Sequence, residues 1–506
     1  MAAVPASLLN GTAQRSARMA ISRPMLVVFL GGVNLVLIQW VLVRELTALL
    51  MGTELVVLLV TITYFLGLSV GFLASSRIPA RWLGALGAAA LLLHLSLPIW
   101  FRLVAAGLAS AGAYWAVFLL LPLATPFVVS AFYSIFLPLY ADHQQERLPR
   151  LYTTELLGSA CGVLVLVALG GMGLTTVYAL YAGILMGLLL ALGMRRVTAI
   201  AMLIGCAAWI LLLPALNDWS NARWFEALHE LPAGLRTLHS SYSAYQKVDV
   251  LEDPQGRRYL YLDGLLHYGT DRWSRLNVIM GTVPAELLKP ESSLVIGAGS
   301  MEMERLIAER GGQVTTVELD PAVVAASAAY LDSVNLMSIL PNRRVIIDDA
   351  KHYIANTGER YDLIATDVPA AFSIQTATLY SQPFYEQLAR RLTGDGVLVV
   401  NLTTRLTEDN LTARRIARTI LSVFDEVMVV TSHDSRLSFA FAADSLPFSL
   451  PDLQAALEGS GETSFTLYHH AAVEALAGDV APITLDTMDL VLQISASRIV
   501  DRLAAE

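Results

Sequence analysis

The 506-residue chain is short of charge and of cysteine: 15% of its residues are charged, two are cysteines, and no lysine occurs before residue 217. Soluble domains carry about 25% charged residues. With 55% of residues hydrophobic, the composition excludes a disordered chain, a basic nucleic-acid-binding protein and an ordinary soluble enzyme. Cys161 and Cys206 lie in apolar runs, and residues 217–506 contain none. That second half therefore has neither a disulfide framework nor a cysteine-based metal site. His469 and His470 are adjacent and read as part of a solvated loop; with no ligand cluster elsewhere, no metal is expected. Internal repeats and low-complexity tracts are also absent.

Charge divides the chain in two. Residues 1–216 hold 11 Arg and five acids, while residues 217–506 hold 23 basic and 38 acidic side chains. Runs of about 20 apolar residues cross a bilayer as helices, and seven are expected, near 25–45, 54–75, 83–101, 114–138, 154–171, 174–194 and 197–216. Residues 1–24, with Arg15, Arg18 and Arg23, read as a disordered cytoplasmic tail rather than a cleaved signal. Within the spans, Arg44 and Glu45 are expected to snorkel or pair, and His94 to be a satisfied core histidine. Glu155 reads either as a counter-ion for a cationic substrate or as an interfacial carboxylate paired with Arg147 or Arg150; the second is preferred. Gly158 and Gly162 form a small-xxx-small face for close helix contact.

Residues 217–240, with Trp219 and Trp224, read as a linker, and 241–290 as a β-hairpin subdomain. From 291 to 445 strands alternate with helices, the pattern of a doubly wound parallel sheet. Strands are expected at 293–297, 314–318, 343–347, 361–366, 396–401, 426–431 and 437–443. Helices are expected near 300–310, 321–331, 377–392 and 407–423. Residues 446–506 form a C-terminal extension with an amphipathic stretch near 470–477 and a final helix near 485–504.

Chemistry-bearing residues fall at the strand ends, where such sheets bind ligands. Gly297-Ala-Gly299-Ser300 follows an apolar strand, and Glu318 and Asp320 end the next one about 20 residues on, placed to accept from a ribose diol. Glycines there let backbone N–H groups approach a ligand. A Rossmann NAD site fits the same pair, but G-x-G-x-x-G is incomplete because residue 302 is Glu. Asp348 and Asp349 end the third strand, where a carboxylate can accept from an adenine amino group or cap the next helix. Asp362 reads as a solvated strand-start residue, and Asp367 is delivered into the crevice.

These residues resemble the spermidine synthase (polyamine aminopropyltransferase) family, and more closely bacterial membrane-spanning spermidine synthase-like proteins. The resemblance covers about 241–445: Tyr245-Gln246, Leu262-Asp263-Gly264, the Gly-rich loop, Val317-Glu318-Leu-Asp320-Pro321, Asp349-Ala350 and Leu379-Tyr380-Ser-Gln-Pro-Phe384-Tyr385. It implies a Rossmann-like transferase domain behind an α-helical membrane domain. The implied co-substrate is decarboxylated or intact S-adenosylmethionine, without a metal. An amine acceptor, the lipid bilayer and a homodimer partner are also implied. By position, Glu318 would hold the ribose, Asp349 the adenine and Gln246 the nucleotide ligand, with Gly297, Gly299 and Ser300 in the loop. Asp367 would be the general base, since an ammonium must lose its proton before it can attack carbon. Tyr245, His267, Asp271, Glu302 and Tyr380 are the candidate substrate contacts.

The departures fall on amine recognition. Ala370 replaces the family's second acid, Ser300 replaces an aspartate of the Gly-rich loop, and His267 replaces a glutamine. Glu302, Glu304 or Asp271 would have to substitute, or the acceptor differs from putrescine. Alternatively, Ser300 with Arg272 or Arg275 would admit the carboxylate of intact S-adenosylmethionine. The leading expectation is a membrane-bound aminopropyl-type transferase releasing methylthioadenosine. The alternatives are an S-adenosylmethionine-dependent methyltransferase or lyase, and a non-catalytic membrane sensor or transporter. The implied location is a bacterial-type inner membrane. Arginine counting puts the N-terminus in the cytoplasm and, with seven spans, the soluble half outside. Splitting 103–140 at Pro122 and Pro126 would give eight spans but move Arg147, Arg150, Arg195 and Arg196 to the wrong side. The cytosolic nature of the nucleoside favours a cytoplasmic domain instead, and that placement is the expectation.

Overall fold

The computed structural model describes residues 22–486 apart from 53–54, 170–172, 192–195, 271–273 and 298, together with 491, 492 and 494. Nearly all of the expected N-terminal tail and most of the final helix lie outside the described residues.

The apolar first half folds into helices α1 (Arg23–Leu49), α2 (Leu55–Ser75), α3 (Leu83–Leu95), α4 (Leu97–Ser110), α5 (Leu121–Gln144), α6 (Leu148–Leu169), α7 (Leu174–Ala191) and α8 (Arg196–Leu228). Among the described residues, five helical runs are long and apolar enough to cross a membrane: Arg23–Leu49, Val56–Ser75, Ala116–Gln144, Leu148–Ala168 and Ile200–Leu228. Leu174–Gly187 is apolar but shorter. α3 and α4 have 13 and 14 residues, each too short for a hydrocarbon core of about 30 Å. They are two parts of one bent run. Pro98 has no N–H for the His94 carbonyl, so the helix bends there; the Tyr178 hydroxyl donates to that carbonyl at 2.9 Å. Residues 116–144 continue as helix through Pro122, Pro126 and Pro138, so the division of 103–140 into two spans does not occur.

Contacts orient the bundle. Met25 and Val28 at the start of α1 cluster with Tyr140 at the end of α5, Leu151 near the start of α6 and Phe72 near the end of α2. α6 runs alongside α1 in the same direction: a Cβ at Gly158 would overlap the Phe29 carbonyl oxygen, and Gly162 meets Val33. The small-residue face is therefore a true helix contact. Glu155 is buried beside it and accepts from Ser159 Oγ at 2.9 Å. Arg150, one of the two arginines expected near Glu155, pairs with Glu146 at 3.8 Å.

The expected linker is largely absent. α8 continues 12 residues past 216, to Leu228, with Trp224 buried against Phe101 at 6.0 Å between ring centroids. The chain then enters an antiparallel sheet of β1 (Arg236–Tyr242), β2 (Lys247–Glu252), β3 (Arg258–Leu262) and β4 (Leu265–Gly269).

The second sheet contains β5 (Ser292–Ile296), β6 (Gln313–Glu318), β7 (Arg343–Ile347), β8 (Tyr361–Thr366), β9 (Leu392–Asn401), β10 (Glu426–Ser432), β11 (Leu437–Ala443) and β12 (Phe465–Tyr468). Its order is β12-β10-β11-β9-β8-β5-β6-β7. All seven expected strands are present. The sheet is mixed rather than wholly parallel: β5 to β9 run parallel, and β10, β11 and β12 join antiparallel. The connection from β10 to β11 is only four residues long, too short for the crossover that a parallel pair requires. β12 and the helix Leu450–Gly459 are additional to the sequence expectation. His469 and His470 are not merely solvated: His469 caps the helix His470–Ala477, and His470 Nδ1 accepts from the Val427 N–H at 3.2 Å.

Candidate nucleoside and amine site

Strand order reverses between β5 and β8, so a crevice opens at their carboxyl ends. A cleft lies there, lined by Gln246, Leu262, His267, Asn277, Gly297, Gly299, Ser300, Met303, Glu318, Asp367 and Pro369.

The loop after β5 is built for close approach. Gly297 has φ +88°, and a Cβ there would overlap the Asp367 carbonyl oxygen. The Asp367 N–H in turn donates to the Ile296 carbonyl at 3.0 Å. Ser327 Oγ donates to the Gly299 carbonyl at 2.6 Å and Asn335 Nδ2 to the Ser300 carbonyl at 3.1 Å. Glu318 Oε1 accepts from the Asp320 N–H at 2.9 Å. Asp320 is itself a hub: it caps the helix Pro321–Tyr330 through Ala322 N at 2.9 Å, and accepts from Ser243 Oγ at 2.6 Å and Gln246 Nε2 at 3.2 Å. The β-hairpin sheet and the nucleotide-type sheet therefore meet at Asp320, which holds Gln246 over the cleft.

Asp367 is tied to β9 by Asn401 Nδ2, which donates to Oδ1 at 3.0 Å. Burial raises the Asp367 carboxyl above the ordinary aspartate range, and the Asn401 hydrogen bond opposes that shift. Tyr380 is buried and donates to the carbonyls of Val368 and Pro369 at 2.8 and 3.3 Å. It shapes the loop after Asp367 and does not line the cleft. Burial pushes the His267 imidazole down to about 4, so it is neutral near pH 7.

Several expected contacts sit elsewhere. Asp349 is outside the cleft lining; its Oδ1 accepts from Lys351 N at 2.8 Å, the helix-capping role. Tyr245 is half exposed, and its carbonyl is taken by Arg44 at 2.9 Å. Glu302 is buried behind the wall, accepting from Asn277 Nδ2 at 2.8 Å, with Arg305 at 3.5 Å. Asp271 and Arg272 lie outside the described residues, and Arg275 pairs with Asp434 away from the cleft. Glu304 is buried and faces Thr316, whose hydroxyl donates to it at 3.2 Å. Asp362 is half-buried at the strand start and accepts from the N–H groups of Glu291 and Ser292, both at 3.0 Å, and from Thr393 Oγ1 at 2.8 Å. Sequence reasoning missed Asn277, Met303 and Asn401. Asn401 at the end of a predicted strand beside Asp367 was the available signal.

The arrangement defines a Rossmann-like domain with two carboxylates, Glu318 and Asp367, in one cleft. Residues 276–433 match the family described as "Spermine/spermidine synthase domain". The chain is 32% identical over 173 residues to a polyamine aminopropyltransferase of Oceanobacillus iheyensis, covering 33% of this chain and 34% of that protein. It is 31% identical over 166 residues to a polyamine aminopropyltransferase of Korarchaeum cryptofilum, covering 32% of this chain and 51% of that protein. The matches thus span between a third and half of these relatives' own length. Among solved structures, a spermidine synthase in complex with the transition state analogue AdoDATO aligns with TM-score 0.39 and 21% identity, over 48% of this chain and 84% of that chain.

Proposed function

We propose that this chain is a multi-pass membrane-bound transferase. It would move an aminopropyl-type group from decarboxylated S-adenosylmethionine to an amine acceptor and release methylthioadenosine. The observation that carries this reading is the charge of the cleft. Two carboxylates line it, and no lysine or arginine does among the described residues. Such a site suits a ligand bearing a sulfonium and an ammonium but no carboxylate. Intact S-adenosylmethionine would bring its carboxylate into a cleft already negative. The relatives' names support the same chemistry.

In the proposed step the acceptor ammonium gives a proton to the Asp367 carboxylate. The freed amine nitrogen attacks the propyl carbon next to sulfur; the N–C bond forms as the C–S bond breaks, and the electron pair stays on sulfur. Glu318 would accept from the ribose hydroxyls, and the Gly297–Gly299 turn would let the backbone approach the nucleoside. Ala370 stands where the family pattern carries its second acid, which leaves fewer negative partners for the acceptor and supports one other than putrescine.

The test is product identity. Detergent-solubilised full chain is incubated with decarboxylated or intact S-adenosylmethionine, with and without a mixture of amines, and the released nucleoside is identified by mass spectrometry. Amine-dependent methylthioadenosine is expected. S-adenosylhomocysteine would make the protein a methyltransferase, amine-independent methylthioadenosine a lyase. Nucleoside binding without turnover would favour a sensor or transporter.

Membrane insertion is supported by the five long apolar helices. Its orientation is supported by the helix ends: α1 and α8 both finish against the hairpin sheet, so Arg23, Arg77, Arg81, Arg147 and Arg150 fall at the far end of the bundle. Arginine-rich loops face the cytoplasm, which favours the other face for the α/β half, whereas the nucleoside's cytosolic origin favours the cytoplasm.

A further inference from the structure

The end of α1 reaches two loops that carry cleft residues. Arg44 Nη1 donates to the Tyr245 carbonyl at 2.9 Å and Nη2 to the Ala244 carbonyl at 2.8 Å. Its guanidinium lies over the Trp40 ring, 5.6 Å from the centroid, and Trp40 meets Tyr242 edge-on at 5.5 Å. The next residue, Glu45, pairs with fully buried Arg102 at 2.5 and 2.8 Å and also bonds the Tyr242 hydroxyl. One turn on, the Ala48 backbone lies so close to Gly264 that a Cβ there would overlap the Ala48 carbonyl oxygen. The adjacent Asp263 accepts from the Lys247 N–H at 2.8 Å. α1 therefore grips the turn that leads into Gln246 and the turn that follows Leu262, and both residues line the cleft.

We propose that Arg44 is a positioning residue for the nucleoside site: the helical half, through its two-pronged grip on the Ala244 and Tyr245 carbonyls, sets the side chain of Gln246 in the cleft. A guanidinium offers two directed donors in one plane, which an ammonium does not. Stacking on Trp40 orders it beforehand, so little side-chain freedom is lost when it engages. Gln246 is fixed at its other end by Asp320, so its amide is held between the helical bundle and the start of the helix Pro321–Tyr330. The nucleoside site is then a joint product of both halves of the chain. This inference rests on the nucleoside reading of the cleft.

The test measures binding of methylthioadenosine to the full chain in detergent by isothermal titration calorimetry, alongside thermal unfolding. Arg44→Ala is expected to weaken binding about tenfold with the unfolding midpoint unchanged within error. Arg44→Lys should recover part of the loss. Gln246→Ala should weaken binding by itself, and Arg44→Ala in that background should add nothing, because Arg44 acts through Gln246. Additive losses in the double variant, or wild-type affinity in Arg44→Ala, would overturn the proposal while leaving the nucleoside reading intact. If the folded wild-type chain binds no methylthioadenosine, the nucleoside reading falls and this proposal with it. If Arg44→Ala is not recovered folded, Arg44→Gln, which keeps the stem on Trp40, replaces it with the same expectations.

Discussion

Asn401 at the end of β9 and Asp367 just beyond the end of β8 are joined by a 3.0 Å hydrogen bond between neighbouring strands. The Asn401 amide is oriented for this by the Thr403 N–H, which donates to its Oδ1 at 2.8 Å and leaves the NH2 for the carboxylate. The bond favours ionised Asp367 against the burial that disfavours it. Asp367→Asn should lower turnover about 10³-fold, within the range for a lost general base, while methylthioadenosine binding stays within a few-fold. Loss of binding as well would move Asp367 from proton transfer to ligand recognition.

Asn401→Leu removes the interaction that lowers the Asp367 pKa, so that pKa should rise further. The acid limb of the turnover profile then shifts to higher pH, and kcat falls about tenfold at neutral pH while recovering as pH rises. An unshifted limb in the pH–rate profile would mean that the Asp367 proton does not govern the step.

Gly297→Ala should abolish nucleoside binding and destabilise the domain by about 2 kcal/mol or more, because the residue combines positive φ with a Cβ that overlaps the Asp367 carbonyl. Calorimetry and thermal melts of the detergent-solubilised variant check both. Gly256 also has positive φ but meets open space; Gly256→Ala should be milder and leave binding untouched.

Glu304 is a buried carboxyl with no place in the proposed mechanism. Burial raises its pKa to about 8. Between the unfolded value near 4.5 and 8 the folded state binds more protons than the unfolded state, so stability falls as pH rises, by up to about 1.4 kcal/mol per pH unit. Glu304→Gln should flatten that decline in unfolding midpoints measured from pH 5 to 9. An unchanged slope would assign the pH dependence to other groups.

The arginine distribution predicts that alkaline phosphatase fused to the C-terminus is active in cells, while green fluorescent protein there is dark. The converse pair would put the α/β half in the cytoplasm with its co-substrate. Activity outside would require the sulfonium nucleoside to be supplied on that face.

The sequence by itself determined both halves of the fold and much of the cleft. Apolar run length marked the helices, because a bilayer or a buried bundle needs them. Strand-end placement marked Gly297, Glu318 and Asp367, because ligands in such sheets meet the strand carboxyl ends. What it left open was how each side chain is held. Asp349 at a strand end suits a ligand or a helix cap, and in the fold its Oδ1 accepts from the Lys351 N–H. Tyr245 and Tyr380 sit within family-like motifs, yet one offers its carbonyl to Arg44 and the other props the loop after Asp367. The linker expected after residue 216 is helix, because Trp224 finds Phe101 from α4 to pack against. The junction of Arg44, Glu45, Arg102 and Gln246 joins residues up to about 200 positions apart. Side-chain type and local spacing carry no information about such pairings, so only the packing of the helical bundle against the hairpin sheet decides them.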